Sequence, residues 1–136
     1  MNQSEILCLL LNTLSQFDVH QRLITELTEI IVGSGYEARF FKLFISRLKL
    51  LSQYGVDAVK FEEFELIGGG VFSMHLAKKG FNIRILYSFF PNGRPSLLTC
   101  FHERAGKFKT NYSTYIQPAM NRFKERLEVY EHGRHE

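Results

Sequence analysis

Residues 71–103, VFSMHLAKKGFNIRILYSFFPNGRPSLLTCFHE, decide the class of fold. Over 71–77 the period is two: Phe72, Met74 and Leu76 take one face, Ser73 and His75 the other. Lys78-Lys79-Gly80 is a turn, and Lys78 and Lys79 sit at a hairpin tip. Residues 81–90 are rich in β-formers and read as a central strand. Pro91-Asn92-Gly93-Arg94-Pro95 is a strong turn signal, and 96–103 make a third strand. Three strands joined by short links predict an antiparallel meander.

Upstream of this stretch the period is helical. Residues 4–16 predict a helix capped by Ser4. Residues 19–32 space Val19, Leu23, Leu27, Ile30 and Ile31 as a second helix, which Gly33-Ser34-Gly35 breaks. Residues 36–54 form the clearest helix, with Phe40, Leu43, Phe44, Arg47, Leu48 and Leu51 on one stripe and Gly55 as its stop. Phe61, Phe64 and Leu66 alternate weakly with Glu62, Glu63 and Glu65, which leaves a short strand or an irregular segment before Gly68-Gly69-Gly70. Downstream, Ile116, Met120, Phe123, Leu127 and Tyr130 supply the stripe of a last helix. Ser113 or a neighbouring hydroxyl caps it, and its regular part begins near Ile116 so that Pro118 falls in the first turn. Helices first and strands afterwards predict an α+β fold: a small antiparallel sheet flanked by N-terminal helices and a C-terminal helix. The 136 residues suit one domain, of which 1–35 are a helical N-terminal extension.

Composition narrows the function classes. The chain is 45% hydrophobic and 23% charged, an ordinary globular balance. Ile6–Leu11 is too short for a membrane span and lacks the flanks of an export signal. Cys8 and Cys100, far apart, read as reduced thiols of a cytoplasmic protein, and no Cys/His spacing indicates a metal. Charge is unevenly distributed: residues 1–58 carry a net −1, whereas from Ser73 to Lys124 nine basic residues face Glu103 alone, a net +8. Such a stretch attracts polyanions through counterion release. The alternative is a solvated surface that is merely basic.

Several residues suit chemistry on a phosphate. Arg84 lies between Ile83 and Ile85 in a strand and must reach solvent or a partner; a guanidinium there grips phosphate or simply occupies a polar face. His75 falls on the polar face of the preceding strand, where an imidazole exchanges protons near neutral pH or serves as plain surface. His102, Glu103, Arg104, Lys107 and Lys109 gather an imidazole, a carboxylate and three cations around Gly106, and Tyr112 and Tyr115 follow as stacking rings. RNA cleavage by the ribose 2′-hydroxyl needs a base, an acid and positive charge at the phosphate, and this set contains all three. The glycine run precedes a strand and is no phosphate loop. Glu62, Glu63 and Glu65 could hold a metal but read rather as a solvated edge.

The order and spacing of these segments resemble the RelE/ParE toxin superfamily, in its HigB-like, phage-derived branch. The resemblance spans about residues 38–130. It runs through Leu50-Leu51-Ser52-Gln53-Tyr54-Gly55, Gly70-Val71-Phe72-Ser73-Met74-His75 and Ile83-Arg84-Ile85-Leu86-Tyr87. It continues with Leu97 to Arg104, Lys109-Thr110-Asn111-Tyr112, and a helix with Ala119 and Arg122. No single piece is specific. The resemblance implies a toxin of a type II toxin–antitoxin pair that cleaves messenger RNA on the ribosome, uses no cofactor and no metal, and is held by a cognate antitoxin protein. It implies that Arg84 stabilises the scissile phosphate and that Arg104 is a catalytic cation. Lys78, Lys79, Lys107, Lys109 and Tyr112 are expected to bind RNA, and His75, His102 or Glu103 to transfer protons. His75 stands where many relatives have Arg, and Glu103 where many have Lys. The helical 1–35 segment also departs from the family and is expected to meet the antitoxin, form a homodimer or shield the site. Two other expectations stay open: a gyrase poison of the ParE type, and a phage-derived binding module without chemistry.

Overall fold

A computed structural model describes residues 1–104 and 111–135, without the side chains of the last two. Among the described residues the order is α1 (Gln3–Thr13), β1 (Asp18–Val19), α2 (Gln21–Ile31), α3 (Glu37–Tyr54), a 3-10 helix (Gly55–Lys60), β2 (Phe64–Gly68), β3 (Val71–Lys78), β4 (Phe81–Phe89), β5 (Pro95–His102) and α4 (Ser113–His135). The class is α+β, with four α-helices and a five-stranded mixed sheet in the order β1-β5-β4-β3-β2.

The meander expected from the two-residue period is present, and it is longer than three strands. The weakly alternating segment is a true strand, β2, antiparallel to β3 with Phe64 opposite Met74. The sheet is not purely antiparallel. β1 runs parallel to β5, pairing Asp18 with Ser96 and Val19 with Leu97. Two residues carry no periodic signal, so Val19 reads as helical until its partner is known. Its neighbour His20 begins α2: the ring Nδ1 accepts the Arg22 amide at 3.2 Å, which leaves Nε2–H to donate to Glu125 at 2.7 Å. The caps expected for α1 and α4 are corrected too. Asn2, not Ser4, caps α1, in a capping box with Glu5. Asn111, not Ser113, caps α4: its side-chain oxygen accepts the Ser113 amide at 3.1 Å. α4 starts at Ser113, ahead of the expected Ile116, and Pro118 lies inside it, beyond the first turn.

The sheet buries both faces. Against one face pack α2 and α3, with α1 on α2; Ile6, Leu10, Leu23, Leu27, Phe40 and Phe44 are fully buried in one cluster with Met74, Leu76, Ile83, Ile85 and Tyr87. Residues 1–35 thus belong to the core of the sheet rather than hanging from it. The Tyr87 hydroxyl is buried there without a hydrogen-bond partner, and burial raises its pKa. Against the other face packs α4, with Ala119, Ile116, Met120 and Phe123 on Val71, Leu86, Leu98 and Phe101. Gly69, in the β2–β3 turn at φ +62°, lets α4 come close: a Cβ there would stand 2.9 Å from the Met120 sulfur.

Charged pairs fasten α4 to the N-terminal segment. Arg122 Nη1 and Nη2 each donate to Glu26 at 2.7 Å, and Nη1 also donates to the Leu98 carbonyl at 2.9 Å. That carbonyl lies where the β4–β5 register shifts, beyond the end of the short β1. Arg126 holds Asp18, with Nη2 to Oδ1 at 2.5 Å.

Candidate functional site

β3 and β4 form a tight hairpin in which His75 faces Arg84 across the strands. The two-residue period puts Ser73, His75, Asn82 and Arg84 on the face that α4 covers. Beyond the foot of α4 these side chains form a polar cluster with Glu103, which follows β5, and Glu65 from β2. The Glu103 amide donates to the Asn82 carbonyl at 2.8 Å, which brings its side chain over Arg84. Arg84 Nε donates to Glu103 Oε2 at 2.8 Å. Nη1 donates to Glu65 at 3.2 Å and to the Ser73 hydroxyl at 3.3 Å. Tyr112 donates its hydroxyl to Glu103 Oε1, and its ring lies 5.6 Å from the Arg84 guanidinium carbon.

His75 Nε2 lies 2.5 Å from Asn82 Oδ1 and 3.3 Å from Glu103 Oε2. Both neighbours are acceptors, so Nε2 carries the proton. Burial pushes the Glu103 carboxyl upward. Hydrogen bonds from Arg84 and Tyr112, with the charges of Arg84 and His75, outweigh that and hold it below its ordinary value. Glu103 is therefore ionised at neutral pH. Burial, and then the bond to Glu103, push the Tyr112 hydroxyl up to about 12.

The structure brings together four of the residues singled out from sequence: Arg84, His75, Glu103 and Tyr112. His102 is not with them. It pairs with Ile83, and that register places it on the opposite face, exposed. Arg104 is exposed at the end of the described segment, while Lys107 and Lys109 lie outside the described residues. Lys78 and Lys79 do not join the cluster either. Lys78 pairs with Phe81 on the face that α3 covers, and both lysines line a cleft with Arg39 and Lys42 of α3. Sequence reasoning missed Asn82 and Glu65. Asn82 was legible, two residues before Arg84 in one strand. Glu65 read as solvated edge, which it is at 48% exposure, while also reaching Arg84.

The +8 stretch does not survive folding as one basic face. Arg84 and Arg122 are each met by a carboxylate from outside it, Glu65 and Glu26. Among the described residues no group of three or more His, Cys, Asp and Glu is placed to hold a metal ion, and no helix is long and apolar enough to cross a membrane. Chemically, the cluster offers an ionised carboxylate, a protonated ring nitrogen and a guanidinium around one partly buried spot, with a tyrosine ring beside it. Comparison of the chain with protein-family models, with curated proteins and with solved structures gives no match.

Proposed function

We propose that this chain is a RelE/HigB-like toxin of a type II toxin–antitoxin pair, acting as an endoribonuclease on messenger RNA in the ribosome. The observation that carries the reading is the convergence of Arg84, His75 and Glu103, with His75 Nε2 and Arg84 Nε both on Glu103 Oε2 at 3.3 and 2.8 Å. In the reaction a ribose 2′-hydroxyl attacks the adjacent phosphorus. Glu103 takes the hydroxyl proton as the O2′–P bond forms. The P–O5′ bond breaks, and His75, entering the step as the imidazolium, gives its Nε2 proton to the leaving 5′-oxygen and is left neutral. The products are a 2′,3′-cyclic phosphate and a 5′-hydroxyl. Arg84 stabilises the charge on the phosphoryl oxygens, its longer contacts to Glu65 and Ser73 giving way to substrate. Tyr112 offers a ring for a base to stack on. The cognate antitoxin would act by covering this cluster or by drawing Arg84 away from it.

The test is to induce the chain in a bacterium and map messenger RNA 5′ ends, with Arg84→Ala beside it. Discrete new 5′-hydroxyl ends in translated regions are expected, falling at least about 100-fold in the variant, the usual scale for losing a transition-state charge donor. Growth arrest with intact messages would instead favour a gyrase poison. One observation favours a binding module without chemistry: Arg84 is already met by two carboxylates, Glu103 and Glu65. Neither arrest nor cutting would support that reading.

A further inference from the structure

On the opposite face of the sheet, the same hairpin closes a second site. Its tip and α3 enclose a cleft of about 440 Å³ lined by Arg39, Lys42, Leu43, Ser46, Lys78 and Lys79. Arg39, Lys42 and Ser46 are spaced i, i+3 and i+7, so they share one face of α3. Lys78 and Lys79 come from across the cleft. Four cations thus face one space. Among the described residues none of the four forms an ion pair with a carboxylate, whereas Arg47, Arg84, Arg122 and Arg126 all do.

Arg39 is held in place without being neutralised. Its Nη1 donates to the Lys79 carbonyl at 2.5 Å, and its guanidinium carbon lies 5.9 Å from the Phe81 ring centre. Gly80, at φ +102°, leaves the space this needs: a Cβ there would stand 3.3 Å from Arg39 Nη2. A carbonyl and a ring orient the charge and leave its net value intact, which is what an anion site requires.

We infer that this cleft binds the phosphate backbone of RNA, as a docking site separate from the Arg84 cluster. Two features argue for a polyanion over a protein partner. Leu43 is the sole apolar residue of the lining, whereas protein interfaces centre on apolar and aromatic anchors and are depleted in lysine. The cations also come from two separate elements, which suits successive phosphates rather than one. The choice of RNA rests on the nuclease reading. His75 and Arg84 lie three residue pairs from the Lys78–Phe81 pair at the hairpin tip, about 10 Å along the strands. One RNA strand passing over the tip reaches both sites.

The experiment measures binding of a labelled single-stranded RNA by fluorescence anisotropy across a salt series, using the full chain. Three variants are compared with wild type: Lys42→Ala/Lys78→Ala/Lys79→Ala, Lys60→Ala/Arg94→Ala/Lys124→Ala, and Arg84→Ala. The first two remove equal charge, and melting curves check that all remain folded. The cleft variant is expected to lose about 2 from the slope of log affinity against log salt, since each single-strand phosphate contact contributes about 0.7. The remote triple variant and Arg84→Ala should keep most of the slope. Equal losses in both triple variants would overturn the proposal, because binding would then follow net charge alone. Unchanged binding in the cleft variant would overturn it too. So would unchanged RNA binding beside lost binding of a polyglutamate peptide, which would mark a surface for an acidic protein. Cleft-dependent RNA binding without any cleavage in cells would sink the nuclease reading and leave the cleft standing; cleavage with cleft-independent binding would do the reverse.

Discussion

The β3–β4 hairpin meets an arginine on each of its faces, Arg84 of its own and Arg39 from α3, and the two differ in how charge is met. On the α4 side, Arg84 is bonded to Glu103 and Glu65, and Glu103 is shared with His75 and Tyr112. On the α3 side, Arg39 is bonded to a carbonyl and lies against a ring, with Lys42, Lys78 and Lys79 nearby. The first arrangement fixes geometry and can pass protons; the second keeps positive potential. A strand residue and its neighbour point to opposite faces, so Arg84 and Lys78 belong to different sites although one hairpin carries both. Net charge counted along a chain cannot separate two such sites, because the compensating carboxylates come from elsewhere in the sequence.

If the contrast between met and unmet charge is real, breaking a met pair should cost the most. Arg122→Ala leaves Glu26 without its cation and the Leu98 carbonyl without its donor. A loss of about 2 kcal/mol is expected by urea unfolding, below the usual cost of breaking a fully buried pair because Glu26 is 32% exposed. An unchanged midpoint would mean that the pair is ornamental.

A smaller effect should appear in acid. The folded state favours ionised Glu103, whose pKa lies below the ordinary value of 4.5. Its contribution is therefore fully present above that value and is lost as pH falls through the lower folded one. Wild type should exceed Glu103→Gln by about 1 kcal/mol at pH 7, the scale of a charge-assisted hydrogen bond at a partly exposed site. The gap should close in acid. A gap that stays constant down to pH 3 would show that Glu103 is not the titrating group.

The smallest effect belongs to the unmet charges. Lys42→Ala should change stability by no more than about 0.5 kcal/mol, and in the stabilising direction if repulsion from Lys78 and Lys79 is felt. A clear destabilisation would reveal a partner and erase the contrast.

Much of the fold was legible because two periods were strong. The alternation in 71–77 and the stripe of 36–54 appear as β3 and α3. β1 was not legible: Asp18–Val19 is a strand only because β5 offers an edge beside it. The caps Asn2 and Asn111 were missed because Ser4 and Ser113 are equally good cap residues by type; the start of each helix decides between them. Of the site, His75, Arg84, Glu103 and Tyr112 were legible from residue type and position. His102 was misjudged, since parity across the β4–β5 pairing sends it to the other face.

The sequence by itself determined the long helices and the strands after residue 70, the two-residue alternation that puts His75 and Arg84 on polar faces, and the excess of cations after residue 73. Only the tertiary structure decided which cations keep their charge. Glu26 and Glu65 lie 96 and 19 residues from the arginines they meet. An ion pair depends on distance in space, and chain separation places no useful bound on it once a sheet and its covering helices have folded.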